Sequence, residues 1–255
     1  LYVSPERIQT KIFIERFKLM NIALIVVDEA HCISQWGHDF RPAYKQINEL
    51  RKYKPNVTIA AFTATATSQT KADIIKQLEF KNVAIHEAPF IRENIAYRIF
   101  QSEAKISRII EFCSSVKNST GIVYCQTRKS VKALTNLLSQ EKLSCGAYHG
   151  GMSKDEREKS MKSWMTGSTK IMIATNAFGM GIDKPDVRYV IHYEISESIE
   201  AYFQEAGRAG RDQKKAIALA FFNQEDLNRL ENNPIIKFPP AEIVKKVYTT
   251  MCSKL

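Results

Sequence analysis

The sequence predicts the α/β class, with parallel sheets in two successive units. Three observations carry this. Short β-branched apolar runs alternate with helix-period segments over the whole length, which is the pattern of right-handed βαβ crossovers under a sheet covered on both faces. The segment Ala88–Gln101 contains Pro89, has no clean period, and interrupts that alternation before a new series begins. The 255 residues are 44% apolar and 25% charged, an ordinary globular composition that excludes a disordered or fibrous chain.

Taken in order, Ser4 is a good N-cap with Pro5 at the first helical position. Ala23–Val27, Val57–Phe62 and Val83–Ile85 read as strands of a first unit, residues 1–90, too few to close a doubly wound sheet. Residues 91–101 read as linker. Gly121–Cys125, Ala147–His149, Lys170–Ala174, Tyr189–Tyr193 and Ala216–Phe222 read as the five strands of a second unit, 102–230. Between them, Val131, Leu134, Leu137 and Leu138 share one helical face. Met161, Trp164 and Met165 do so after a capping box, Ser153-x-x-Glu156. Residues 231–255, with three prolines over Asn232–Pro240, form a tail.

Lys and Arg number 37 against 27 Asp and Glu, a net charge of +10 that suits a polyanionic partner while saying nothing of fold. Five scattered cysteines (Cys32, Cys113, Cys125, Cys145, Cys252) make neither a disulfide framework nor a zinc site, so a reducing intracellular setting is expected. No apolar run approaches the ~18–20 residues of a membrane span. The opening residues lack a Met and resemble no signal peptide, the expectation for a truncated chain.

Four segments carry chemistry. In Ile25-Val-Val-Asp28-Glu29-Ala-His31 an apolar strand delivers two carboxylates to its C-terminal end, where ligands sit in parallel sheets. One would hold Mg²⁺ and the other orient a water attacking a phosphoryl group. Alone, the pair reads first as a cap for the next helix. The next strand ends in Thr63-Ala64-Thr65-Ala66-Thr67, whose hydroxyls are within reach of that first site. Thr175-Asn-Ala-Phe-Gly179-Met-Gly181-Ile-Asp183 is a loop whose glycines admit phosphates and whose Asp suits a ribose hydroxyl. Gln204-Glu-Ala-Gly207-Arg208-Ala-Gly210-Arg211-Asp212 sets two arginines three apart on one helical face, the charge that γ-phosphate stabilisation needs.

The joint order is far more specific than any member. It resembles motifs II, III, V and VI of the superfamily 2 helicases, whose fold is two RecA-like parallel-sheet lobes, the first here incomplete at its N-terminus. Gly121-Ile-Val-Tyr-Cys-Gln-Thr-Arg128 resembles motif IV, and Tyr148-His-Gly-Gly-Met resembles the short segment after it. The loop His31-Cys-Ile-Ser-Gln-Trp36-Gly-His38-Asp-Phe40-Arg41-Pro42-x-Tyr44 is similar to the aromatic-rich loop of the RecQ DNA helicases, as are the forms of motifs V and VI. Tyr2-Val-Ser4-Pro-Glu-Arg7 matches the segment before motif II. The resemblance covers roughly residues 1–225.

It implies an ATP-dependent DNA helicase moving 3′ to 5′ in recombination and repair, with ATP and Mg²⁺ as cofactors. Its partners would be single-stranded and forked DNA, in the bacterial nucleoid or a nucleus. Asp28 would hold Mg²⁺ through water and Glu29 would activate the hydrolytic water. Asp183, Gly181 and Gln204 would serve the nucleotide, and Arg208 and Arg211 its phosphates. His31, Thr63 and Thr65 would couple hydrolysis to DNA. Ser4, Arg7, Trp36, His38, Phe40, Arg41, Arg128 and Thr175 would contact DNA. Aromatic faces stack bases without regard to sequence, which suits Trp36 and Phe40.

No Gly-x-x-x-x-Gly-Lys-Ser/Thr phosphate loop occurs, so the resemblance places that loop upstream of Leu1. The chain itself is then expected to be inactive alone. Two alternatives stand beside this reading. One is a non-catalytic nucleic-acid-binding fragment. The other is a DEAD/DEAH-type RNA helicase, disfavoured by the Trp36–Pro42 loop and by Gln204, not His, opening motif VI.

Overall fold

The computed structural model describes residues 1–34, 41–64, 66–88, 92–179 and 182–237, with side chains through 232. The chain divides into two compact units, Leu1–Phe90 and Ile91–Leu255.

Unit 1 opens with α1 (Pro5–Ile8) and α2 (Lys11–Leu19), followed by β1 (Leu24–Val27). Ser4 occupies the N-cap of α1, but its side chain caps nothing. A short 3₁₀ turn at Ala30–Ile33 and an 11-residue 3₁₀ segment at Pro42–Lys52 lead to β2 (Thr58–Ala61) and then α3 (Ser68–Gln77). The two strands pair in parallel, Leu24 opposite Thr58 and Val27 opposite Ala61. Phe17, Val27, Ile33, Tyr44, Ile47, Leu50, Ile74 and Leu78 form the core beneath them. Thr67 caps α3, its hydroxyl accepting from Thr70 N at 3.1 Å.

The expected strand Val83–Ile85 does not form. Val83 and Ile85 are 40% and 53% exposed, so no burial offsets the ordering of an extended segment there.

Unit 2 is a six-stranded parallel sheet: β3 (Ile95–Gln101), β4 (Thr120–Tyr124), β5 (Cys145–Tyr148), β6 (Ile171–Ala174), β7 (Val187–His192) and β8 (Ala216–Phe222), in the order β3-β8-β7-β4-β6-β5. Ile95–Gln101 corrects the linker reading of 91–101. It pairs with β8 along its whole length, Ile95 opposite Ala216 and Gln101 opposite Phe222. The period was obscured because β3 is an edge strand, with Ile99 and Phe100 exposed beside Arg98.

Alternate residues feed opposite faces, as the pleat demands. Ile122, Tyr124, Met172, Val190 and Ala218 pack on one side, and Val123, Ile173, Tyr189, Ile191 and Leu219 on the other. The covering helices are α4 (Lys105–Ser115), α5 (Arg128–Gln140), α6 (Lys154–Met165), α7 (Ile199–Ala206) and α8 (Gln224–Lys237). Val131, Leu134 and Leu138 of α5 are buried as the period predicts. On α6 only Trp164 of the expected trio is buried, while Met165 is 41% exposed. The capping box closes as expected, Ser153 Oγ accepting from Glu156 N at 3.2 Å and Glu156 Oε2 from Ser153 N at 2.7 Å.

Candidate functional site

In unit 1 the end of β1 is built as a strained corner. Glu29 adopts a left-handed backbone (φ 49°, ψ 44°), rare for a residue with a Cβ and common at functional sites. Its amide donates to Asp28 Oδ1 at 2.9 Å. The turn leaves the Asp28 carboxylate exposed and folds Glu29 back, half-buried, toward His31. His31 is 3% exposed, with Nδ1 lying 3.3 Å from Glu29 Oε2 and 3.0 Å from Thr63 Oγ1. Main-chain bonds continue the ladder past the strands: Phe62 N donates to Val27 O and Ala30 N to Phe62 O. Glu29, His31 and Thr63 are therefore in one contact group, with the Asp28 carboxylate turned onto the Glu29 amide beside it. The helix-cap alternative for Asp28 and Glu29 is not realised, since a 3₁₀ turn with no side-chain cap follows them.

A second group lies on α1 and the turn at residue 42. Arg41 Nη2 donates to Glu6 Oε1, and its guanidinium stands 5.5 Å from the Tyr44 ring centre. The Glu6 carboxyl is held below its usual range by its own backbone N–H and by Arg41. Ser4 and Arg7, both exposed, flank Glu6 on the chain. Three residues expected on the DNA side thus share one patch, with Glu6 as the acidic partner the sequence did not single out. Trp36, His38, Phe40 and Thr65 lie outside the described residues, as does Gly181.

Unit 2 distributes its residues by topology. β6 ends and β7 begins at opposite edges of a parallel sheet, so residues 175–186 must travel back along it. Thr175 therefore starts at the carboxyl edge and Asp183 arrives at the amino edge. At the carboxyl edge Arg128 heads α5, beside Gly150 and Gly151. A Cβ on Gly151 would meet Arg128 Nη1 at 2.8 Å, so the glycine makes room for that guanidinium. Thr175 follows directly on the end of β6. It is 7% exposed and its hydroxyl accepts from Ala177 N at 3.4 Å, so it shapes its own loop.

Toward the amino edge, Arg211 Nη1 donates to Asp183 Oδ1 and to Ile182 O, each at 2.9 Å. Arg208 lies beside Gly179, its Nη2 3.4 Å from where a Cβ would stand, and its Nε is buried with no hydrogen-bond partner among the described residues. The two arginines do not share a helical face, because α7 ends at Ala206 and residues 207–212 are turns. Gly207 and Gly210 dissolve the helix there, Gly210 with φ +58°. Gln204 is half-buried on α7.

Sequence reasoning missed the support beneath this loop. Glu205 Oε2 accepts from His192 Nε2 at 2.9 Å and from Ser196 Oγ at 2.7 Å, with His192 wholly buried. Tyr124 stacks on His192 and donates to Phe178 O at 2.8 Å. Burial, opposed by the nearby Arg208, pushes its phenol pKa well up. Glu205 stood inside the quoted run, but nothing in its spacing pointed to His192.

Residues 1–74 match the family described as DEAD/DEAH box helicase, and residues 104–213 the helicase conserved C-terminal domain. The chain is 40% identical over 226 residues to the ATP-dependent DNA helicase RecQ of Haemophilus influenzae, covering 89% of this chain and 36% of that one. It is 40% identical over 240 residues to the ATP-dependent helicase SGS1 of Saccharomyces cerevisiae, covering 91% and 16%. The chain thus spans about a third or less of the length of these relatives. Among solved structures, S. cerevisiae Dbp5 L327V bound to RNA and ADP BeF3 matches with TM-score 0.67 at 21% identity, over 89% of this chain and 60% of that one. That likeness shows the RecA-like fold. The chain belongs to the RecQ family of superfamily 2 helicases.

Proposed function

We propose that the protein is an ATP-dependent DNA helicase of RecQ type, acting 3′ to 5′ on single-stranded and forked DNA in recombination and repair. The carrying observation is the linked set Asp28, Glu29, His31 and Thr63, which joins hydrolytic carboxylates to a second strand end through a buried histidine.

Asp28 fits a magnesium ligand, being an exposed carboxylate at a strand end with a hard oxygen donor, and Mg²⁺ takes one or two carboxylates beside phosphates and water. When bound, Mg²⁺ would neutralise phosphate charge. Glu29, bent toward His31 by its left-handed backbone, orients and deprotonates the attacking water. Arg208 and Arg211 supply fixed positive charge for the transferring phosphoryl group, and Asp183 and Gln204 with Gly181 serve the nucleotide. Ser4, Arg7, Arg41 and Arg128 bind the DNA backbone, and Trp36, His38 and Phe40 sense its bases. His31, Thr63 and Thr65 pass that signal to the carboxylates.

Among the described residues no helix is long and apolar enough to cross a membrane. We place the protein with its DNA, in the nucleoid or a nucleus. ATP hydrolysis by the full-length protein that rises with single-stranded DNA and disappears with Glu29→Gln tests the reading.

A further inference from the structure

The arginine loop has no helix under it, so its accuracy must come from elsewhere. Within the loop the backbone is held by short turn bonds, Arg208 N to Glu205 O, Ala209 N to Ala206 O and Gln213 N to Gly210 O, and by Asp212 N to Pro185 O outside it. The stronger grip comes from the segment that precedes β3. Arg92 Nη2 donates to Gly210 O at 2.8 Å, and its Nη1 reaches Gly207 O at 3.5 Å. Asn94 Nδ2 donates to Gly210 O at 2.8 Å and to Lys214 O at 2.9 Å, while Asn94 O accepts from Ala216 N at 2.9 Å.

These bonds fall on the carbonyls of residues 207, 210 and 214, which bracket both Arg208 and Arg211. Gly210 is fitted to them. A Cβ there would meet Asn94 Nδ2 at 2.5 Å and Lys214 O at 2.8 Å, and its φ of +58° disfavours any other residue. From the opposite side Gly210 N donates to Val187 O at 2.8 Å. The loop is therefore pinned at the glycine between its two arginines.

We infer that Arg92 and Asn94 are positioning residues for phosphoryl transfer, fixing the backbone that aims Arg208 and Arg211. The inference rests on the role proposed above for those arginines. It touches neither nucleotide nor DNA directly, so it predicts loss of turnover and not of binding.

The test is steady-state DNA-stimulated ATP hydrolysis by the full-length protein carrying Asn94→Ala, Asn94→Asp, Arg92→Ala or Arg92→Lys. With the arginines displaced, kcat should fall about ten- to hundredfold, because misplacement of order 1 Å costs that much. KM for ATP should stay within about threefold, since the loss is of transition-state contacts. Arg92→Lys, which keeps the charge and one donor, should recover part of the loss. In an Arg211→Ala background, Asn94→Ala should add less than its full single-variant loss, because only Arg208 is left to be misplaced. Should Asn94→Ala fail to fold, Asn94→Asp and Arg92→Lys carry the same comparison, with near-ultraviolet circular dichroism as the check on folding. Clamp variants with wild-type kcat beside inactive Arg208→Ala and Arg211→Ala variants overturn this inference alone. A full multiplicative loss in the Arg211→Ala background also overturns it. Arg208→Ala and Arg211→Ala variants that both keep kcat overturn the reading of the arginines, and the inference with it.

Discussion

His31 Nδ1 and Thr63 Oγ1, thirty-two positions apart in the chain, lie 3.0 Å from one another and join the end of β1 to the end of β2. With Glu29 Oε2 3.3 Å from the same nitrogen, a change at either strand end reaches the proposed base. Thr63→Val removes the hydroxyl at nearly constant volume. Basal ATP hydrolysis and ATP binding should persist while stimulation by single-stranded DNA falls about five- to hundredfold, the range of typical coupling energies. Undiminished stimulation would remove Thr63 from the coupling path.

Arg211 is paired with an Asp183 that is 82% exposed, and exposed pairs contribute only ~0–1 kcal/mol. The arginine is therefore released at little cost when a phosphate competes for it. Arg211→Ala should lower kcat more than nucleotide affinity, because the charge it meets develops mainly in the transition state. A variant that loses ATP binding and keeps kcat would make Arg211 a ground-state anchor.

Gly121, the second residue of β4, lies directly against the ring of Tyr189. A Cβ would stand 2.0 Å from Tyr189 Cε2, and that ring is buried edge-on to Phe112 at 5.3 Å. Overpacking of this kind costs about 1–3 kcal/mol or more, so Gly121→Ala should lower the melting temperature by several degrees. Adding Tyr189→Leu, which removes the obstructing ring edge, should recover part of that loss. A double variant less stable than Gly121→Ala would contradict this packing account.

The strand ends of both units were legible because their apolar runs are short, β-branched and closed by polar residues, as in β1 before Asp28 and β6 before Thr175. Two elements were not. β3 was hidden because an edge strand carries Arg98 and exposed Ile99, so its alternation is blurred. Val83–Ile85 had strand propensity without the burial that makes a strand pay. The candidate site was legible as residue types, but not its geometry. Spacing put Arg208 and Arg211 on a helix, whereas two glycines end α7 first. Thr175 stood out by residue type, whereas its burial shows only in the fold. The supports His192, Glu205, Arg92 and Asn94 are set by tertiary pairing, which no local pattern encodes.

Asp212, next to Arg211, accepts from Arg188 Nη2 at 2.6 Å and from Lys214 N at 3.1 Å. The Arg188 bond, outweighing slight desolvation, holds its carboxyl below the usual carboxylate range. A depressed folded-state pKa gives stability that is complete above the unfolded value, ~3.9, and lost as pH falls through the folded value. Asp212→Asn should therefore reduce stability at neutral pH and flatten the decline below about pH 4. Melting temperatures across that range check it. An acid limb as steep in Asp212→Asn as in the wild type would assign it to other carboxylates.

Glu29, turned by its left-handed backbone toward His31, is the proposed base of a DNA-stimulated ATPase. Its most direct test compares ATP hydrolysis by the full-length wild-type protein and Glu29→Gln, each with and without single-stranded DNA. Gln keeps the shape but cannot take a proton. ATP should still bind while DNA-stimulated kcat falls by ~10²–10⁴. Wild-type turnover by Glu29→Gln, or a wild-type rate indifferent to DNA, would contradict the account.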